Sequence, residues 1–579
     1  MTNILLITSD QQHWNTLGCL NPEIKTPNLD RLVEQGQLFT RAYCPNPTCT
    51  PTRASMITGK YPGQHGAYSL GTKLPETELT VGEIFQDVGY ETALIGKAHF
   101  QPLVSTSEYP SLESYPTLQN LDYWNDFHGP FYGFNHIEIS RNHTDEAHVG
   151  QHYALWMESN GFTQWRDHFQ KPTGTREQQR HQWSIPAEYH YNTWIAERTN
   201  ALLDDYANEE KPFFLWSSFF DPHPSYLVPE PWDTMYDPQE LTLPRPVEGE
   251  HLHNPPHFRL AMEANPDFGY WMDEAGGQHL QGMRSHVHDP AELARDMAVY
   301  YGMISSMDHA IGLILDKLEA IGLAGDTLVI FTSDHGHFFG HHGLIYKGPF
   351  HYEDMVRVPL IVRLPERIPA GEQSQALQSL VDLPQTMMRF CDVHAEHTMT
   401  GIDQFEVWTG ETKRARDHVI VENHHQHKRL HLKTYIDERY KLTIYLDQPD
   451  GELFDLVNDP DEVHNRWYDA HYLKIKQQLL EKMIHAEFAK EELITDEMRT
   501  QPQKSELMYM KCVESGGFCL TYHPETTRFT LVNTKTNYAS TADLWDHPEF
   551  GRMRYEMIRQ LLFERMRNEP AWMPRTHGA

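Results

Sequence analysis

Four short apolar runs in this chain each break off into charged or polar side chains, and the repetition of that pattern limits the fold more than any single residue does. Asn3–Ser9 runs into Asp10 and Gln11, Glu91–Ile95 is followed by Lys97 and His99, Pro212–Ser218 by His223, and Leu328–Ser333 by Asp334 and His335. The runs read as buried strands. They alternate with amphipathic helical segments: Thr26-Pro27 caps a helix that carries Leu29, Leu32 and Val33 and stops at Gly36. In Ile304–Ile321, Ile304, Met307, Ile311, Ile314, Leu315 and Leu318 recur at helical spacing. Such alternation predicts an α/β fold, a parallel sheet covered by helices on both faces. Ligands of open α/β sheets bind beyond the carboxyl ends of the strands, so four strands that deliver such side chains to that edge define one site. Any one of these residues alone could be a turn residue.

At 579 residues the chain is too long for one compact core and calls for at least two domains. The 48 basic residues against 81 acidic ones give a net charge of −33, which speaks against nucleic acid and anionic membranes as partners. A local cationic pocket can still override that field. No basic and apolar leader precedes the strand at Asn3, and no apolar run approaches the ~20 residues needed to span a bilayer. Six cysteines, Cys19, Cys44, Cys49, Cys391, Cys512 and Cys519, do not make a disulfide framework, and none completes a zinc-type spacing. The expectation is a cytoplasmic enzyme.

Two long stretches, roughly Phe100 to Tyr191 and Ser225 to Asp289, are rich in His, Pro, Trp and Tyr with weak periodicity, as lids and specificity walls are. After about Gly410 the pattern changes to alternating strands at His418–Glu422, Arg429–Ile436 and Tyr440–Leu446, then Gly451–Leu456 and a helix over Ala470–Ala489. We therefore expect a catalytic domain over 1–410, a small α+β domain over 411–495 and an extension over 496–579. Within the extension, Arg528–Asn533 and the helix Tyr555–Met566 weakly echo Tyr440–Asp461 and Tyr472–Met483. The apolar residues of that helix would pack on the parent domain or on a partner subunit, so a homo-oligomer is expected.

Cys49 opens the run Cys49-Thr50-Pro51-Thr52-Arg53. A cysteine here can be an inert buried thiol, a thiolate nucleophile or a substrate for covalent modification. Arginine four residues on favours an anionic form or an anionic ligand, and Pro51 suits a first helical turn whose free N–H groups face that ligand. Asp10, Gln11, Asp334 and His335 offer three oxygens and one nitrogen, a set suited to Ca²⁺, Mg²⁺ or Mn²⁺ rather than structural zinc.

The Cys49–Arg53 run, with the match extending from Tyr43 through Tyr61–Gly66, resembles the Cys-x-Pro-x-Arg signature of type I sulfatases. The resemblance implies an alkaline phosphatase-like sheet sandwiched by helices, a smaller C-terminal α+β domain, and a sulfate ester substrate. It also implies that a formylglycine-generating enzyme oxidises Cys49 to Cα-formylglycine, whose hydrate attacks sulfur. Asp10, Gln11, Cys49, Asp334 and His335 would hold one divalent ion. Sulfatases commonly carry a second aspartate in place of Gln11 and an asparagine in place of His335, and the departure favours Mn²⁺ over Ca²⁺. By the same resemblance Arg53 holds the hydroxyl pair, Lys97 and Lys347 clamp the sulfate, His223 protonates the leaving alcohol, and His99 assists release of sulfate. Gly340-His341-His342-Gly343 lacks the aspartate usual in relatives. Two other readings remain: a phosphonate monoester or phosphodiester hydrolase of the same superfamily, favoured by Gln11 and His335, and a non-catalytic binding protein that retains the pocket.

Overall fold

The computed structural model describes residues 1–102, 104–141, 149–169, 183–263, 266–271, 289–394, 399–424, 430–490, 512–515, 517–523, 528–534 and 543–575. Its centre is a nine-stranded sheet built from β1 (Asn3–Ser9), β2 (Gln37–Tyr43), β3 (Glu91–Gly96), β4 (His136–Ile139), β5 (Phe213–Ser218), β6 (Thr327–Ser333), β7 (Arg357–Arg363), β8 (Glu372–Ser374) and β9 (Gln378–Ser379). The strand order is β4-β3-β5-β1-β6-β7-β2-β8, with β9 also paired to β2. β4, β3, β5, β1 and β6 are mutually parallel, as expected, but β7 is antiparallel to both β6 and β2. The reason lies in the connection: between Ser333 and Arg357 the longest helix is Glu353–Val356, too short to carry the chain back across the sheet, so β7 returns beside β6.

The strands are apolar on both faces because both faces are covered. Ile4 and Leu6 of β1 join one core, with Phe214, Trp216, Leu328 and Ile330; Leu5 and Ile7 join the opposite core, with Leu215, Val329 and Phe331. On the second face lie α1 (Pro27–Gln35), α3 (Tyr191–Glu209) and the long α4 (Pro290–Ala320). The first face is covered in part by α2 (Cys49–Thr58) through Ala54, Met56 and Ile57. α1 begins where expected, but the Thr26 hydroxyl does not cap it. It accepts the Gly18 N–H at 2.7 Å and donates to Asp30 Oδ1 at 3.1 Å.

Register brings the strand ends level. Ser9 pairs with Ser333, Thr8 with Ser218, and Gly96 with both Ser218 and Ile139. Gly96 has φ +105° and a Cβ there would stand 1.9 Å from the Ser218 carbonyl oxygen, so only glycine lets the chain turn from β3 into Lys97.

Beyond residue 418 an antiparallel sheet of β10 (Val419–His424), β11 (His431–Ile436), β12 (Tyr440–Tyr445) and β13 (Gly451–Asp455) packs with α5 (Leu473–Ala489). A second sheet of β14 (Cys512–Ser515), β15 (Phe518–His523) and β16 (Arg528–Asn533) is followed by α6 (Gly551–Arg567). Both units run strands then helix, as the echo in the sequence suggested. Arg429, expected in a strand, lies outside the described residues, as do 142–148, 170–182 and 272–288 of the two long excursions. Of the two destinations expected for α6, the structure shows the one within the chain: Met557, Ile558, Leu561, Leu562 and Met566 are buried in one core with Leu479, Leu480, Met483 and Ile484 of α5. Among the described residues no helix is long and apolar enough to cross a membrane.

Residues 572 and 573 then reach back to the stretch 68–73. Trp572 Nε1 donates to the Lys73 carbonyl at 2.9 Å, the Tyr68 hydroxyl donates to the Met573 carbonyl at 3.3 Å, and the Lys73 N–H meets Met573 Sδ at 3.1 Å. Alongside, the buried Lys433 ammonium bonds Glu422 at 3.0 Å and Glu487 at 2.6 Å and also meets Glu569. Glu422 in turn accepts the Gly63 N–H at 2.7 Å, and Lys490 bridges Glu422 and Glu487 at 2.6 Å each. Burial alone would raise the Glu487 carboxyl, but Lys433 and Lys490 draw it down to about 2.

Removing the central cation leaves buried carboxylates short of a partner, so Lys433→Met is expected to cost about 3–5 kcal/mol, read as a lowered Tm. For Glu487 the sign is that of a depressed acid: its contribution is complete above about pH 4.5 and disappears as the pH falls toward 2, measurable as acid-side loss of Tm that the Glu487→Gln variant shows less steeply.

Candidate active site

Cys49 is the first residue of α2, follows the extended Thr48, and is buried with the whole of that helix. Its Sγ lies 3.1 Å from Lys347 Nζ, 3.2 Å from His335 Nε2, 3.6 Å from Asp10 Oδ1 and 3.8 Å from Lys97 Nζ. Burial, and after it the charge of Asp10, push the thiol up from its ordinary value, against the pull of Lys347 and Lys97. That direction favours the thiol over the thiolate and speaks against the thiolate-nucleophile reading.

Arg53, one helical turn on, is fully buried. Its Nε donates to Asp334 Oδ2 at 2.9 Å, and its Nη1 donates to Ser218 Oγ at 2.7 Å and to the Lys97 carbonyl at 3.0 Å. Nη2 lies 4.0 Å from Asp10 Oδ2 and has no hydrogen-bond partner. One side chain thereby ties the start of α2 to the ends of β3, β5 and β6.

Four of the five expected ligands come together. One donor atom from each of Asp10, Cys49, Asp334 and His335 lies within 4.8 Å of the others. Asp334 Oδ1 accepts the backbone N–H groups of Gln11 at 3.0 Å and His335 at 2.9 Å, which fixes the carboxylate. His335 Nδ1 is 3.0 Å from the Gly336 carbonyl, an acceptor only, so Nδ1 carries the proton and the Nε2 lone pair faces Cys49. Burial holds this imidazole down to about 4, so it is neutral and ready to ligate. Burial would raise Asp10, but Lys97, ahead of His223, Arg53 and Lys347, holds its carboxyl well below the usual range. Both polar atoms of the Gln11 side chain are buried without a partner, at a residue with φ +62°. A pair of charged carboxylates, a correctly oriented neutral imidazole and an orphaned buried amide fit a divalent cation.

The remaining expected residues line the same space. Lys97 meets Asp10, and Lys347 lies 3.3 Å from His223 Nε2 and 3.4 Å from His335 Nε2. Although burial opposes it, the Asp10 and Asp334 carboxylates keep the Lys347 ammonium charged. His223 Nδ1 is 2.5 Å from the Pro224 carbonyl, which turns Nε2 toward Lys347. Both His99 ring nitrogens are buried without partners, and burial, then Arg141, Lys97 and Arg53, hold that ring well below its ordinary value. The Gly340–Gly343 segment faces a carboxylate from farther along the chain: Asp354 lies 2.9 Å from His13 Nε2, 3.4 Å from His341 Nδ1 and 3.3 Å from His342 Nε2.

Two buried residues escaped the sequence reading. Glu113 accepts the N–H groups of His99 and Phe100 at 2.8 Å and Gln101 at 3.0 Å, so it shapes the turn that carries His99. Arg141 follows β4 and pairs with Glu113 at 3.3 Å. The one signal for Arg141 was position: β4 is a further strand of the row that ends in a charged side chain. With four residues in a stretch of weak periodicity, it could not be recognised beforehand.

The profile of the Sulfatase family matches residues 2–393, and that of the N-sulphoglucosamine sulphohydrolase C-terminal domain matches residues 340–489. The chain is similar to the sulfatase YidJ of Escherichia coli K12, 27% identical over 83% of this chain and 86% of the relative. It is similar as well to the multifunctional alkaline phosphatase superfamily protein PehA of Trinickia caryophylli, 26% identical over 86% of this chain and 98% of that one. Among solved structures the phosphonate monoester hydrolase of Silicibacter pomeroyi shares the fold, with TM-score 0.68 at 20% identity over 90% of this chain and all of that chain.

A buried, protonated thiol should resist alkylation. In protein that retains cysteine at position 49, iodoacetamide at pH 8 is expected to label Cys49 at least about tenfold more slowly in the native state than in urea, as read by peptide mass spectrometry.

Proposed function

The chain belongs to the sulfatase family of sulfuric ester hydrolases, and on that premise we propose that it cleaves a sulfate monoester of aryl or sugar type, using Cys49 oxidised to Cα-formylglycine together with one divalent cation. The observation that carries this reading is the crowding of Lys97, Lys347, His335 and Asp10 within 3.8 Å of an unionised Cys49 sulfur. Such surroundings suit a neutral oxygen nucleophile and an incoming anion better than a thiolate. Asp10, Gln11, Asp334 and His335 would hold the cation, which when bound supplies positive charge to a sulfate oxygen and orients the nucleophile. The imidazole among these donors favours a borderline ion, Mn²⁺, over Ca²⁺.

This chain's own groups divide the remaining work. Asp334 takes the proton of the attacking hydroxyl, and Arg53, through its unpartnered Nη2, steadies the hydroxyl pair. Lys97 and Lys347 supply fixed positive charge where the sulfate oxygens and the leaving oxygen become negative, at no reorganisation cost. His223 delivers a proton from Nε2 to the departing alcohol, and Lys347 beside it, 3.3 Å away, favours release of that proton. His99, kept neutral by burial and by the cations around it, acts as the base that lets sulfate leave and the aldehyde re-form.

A second reading, a phosphonate monoester hydrolase, is favoured by the donor pair Gln11 and His335. Turnover of nitrocatechol sulfate against a phenyl phosphonate ester separates the two.

Peptide mass mapping across residues 49–60 is expected to show the aldehyde or its hydrate in active protein, and elemental analysis to show one divalent ion per chain. Active protein with an unchanged thiol would overturn the proposal. Lys347→Ala is expected to lower kcat by about 10²–10³-fold, and Cys49→Ala to abolish turnover.

A further inference from the structure

Arg141 has no assigned part in the chemistry above, yet its setting is not that of a structural ion pair. It stands at the carboxyl end of β4, beside β3, whose end delivers Lys97 and His99; Ile139 pairs with Gly96, and the Ser140 N–H bonds the Gly96 carbonyl at 3.1 Å. Only 3% of its surface is exposed. Nη1 donates to Glu113 Oε2 and to the Gln101 carbonyl, both at a long 3.3 Å, and Nη2 has no partner. Its carboxylate partner is already committed to three backbone N–H groups, those of His99, Phe100 and Gln101. Arg141 is also near the reacting end of the site: after burial it is the charge that most depresses His99, and the Asp10 carboxylate acts on it in turn.

A buried guanidinium with a free donor is costly unless something binds it. In this space the cations Arg53, Lys97, Arg141 and Lys347 lie among the carboxylates Asp10, Asp334 and Glu113. The sulfate being removed engages Lys97 and Lys347 in the reading given above, which leaves the Arg141 donor for a different group.

We propose that Arg141 determines specificity by receiving, through its free guanidinium nitrogen beside His99, a second anionic group that the substrate carries next to the sulfate ester. This rests on the sulfatase reading and narrows it: the substrate class is a sulfate ester with a neighbouring carboxylate or second sulfate. A planar guanidinium suits either oxyanion.

The test compares 4-nitrophenyl sulfate with its 2-carboxylate derivative. The natural enzyme is expected to favour the carboxylate in KM by at least about tenfold, the size of a charge-assisted bond. Arg141→Gln should bring the two substrates within about twofold, and Arg141→Lys should restore part of the preference. Calorimetric Kd values for the same pair in a Cys49→Ala background read the preference without turnover. If the natural enzyme hydrolyses neither sulfate, the sulfatase reading fails while the binding preference still judges Arg141. Equal affinity for the two compounds, or a preference unchanged in Arg141→Gln while both rates fall together, would overturn the inference and leave Arg141 as a support for Glu113.

Discussion

The Arg53 guanidinium is the tie on which the architecture of the site depends. It lies inside the first turns of the helix that begins with Cys49, and it binds the Asp334 carboxylate, the Ser218 hydroxyl and the Lys97 carbonyl. Three strand ends and one helix are thereby set at fixed spacing around a sulfur atom. In a dry interior such a pair is worth little as net stability, since desolvation offsets most of the attraction, but its directional bonds permit one arrangement. Asp334 is then orientated for everything else it touches, including the Gln11 and His335 N–H groups.

The parts of this site legible in the sequence were those fixed by local pattern. Strands buried on both faces have an unmistakable composition, and the residues directly after them, Asp10, Lys97, His223 and Asp334, must emerge at one sheet edge when the strands are level. Register makes them level. The family signature around Cys49 supplied the rest. Direction was harder to read: the reversal of β7 depends on the absence of a crossover helix in a segment of His, Gly and aromatic residues that has no clear period. Arg141 was hidden for a related reason, since β4 is too short to display alternation. The Thr26 hydroxyl followed no local rule because tertiary partners, Gly18 and Asp30, outcompeted the helix end.

The acidity of the chain and the cationic character of its site are compatible because burial separates them. The net charge of −33 acts through solvent and is screened within about 10 Å at ordinary ionic strength, whereas the site cations act through protein of lower dielectric. His99 shows the separation: burial first, and then the cations Arg141, Lys97 and Arg53, hold its ring well below the ordinary value although the chain as a whole is strongly acidic.

The docking of Trp572 and Met573 against residues 66–73 has a consequence for timing. A ribosome makes residues 572 and 573 long after position 49, and at roughly 5–20 residues per second the contact with residues 66–73 stays unmade for about half a minute or longer. During that interval the stretch 66–73 lacks its partners, and the arrival of Trp572 and Met573 closes it.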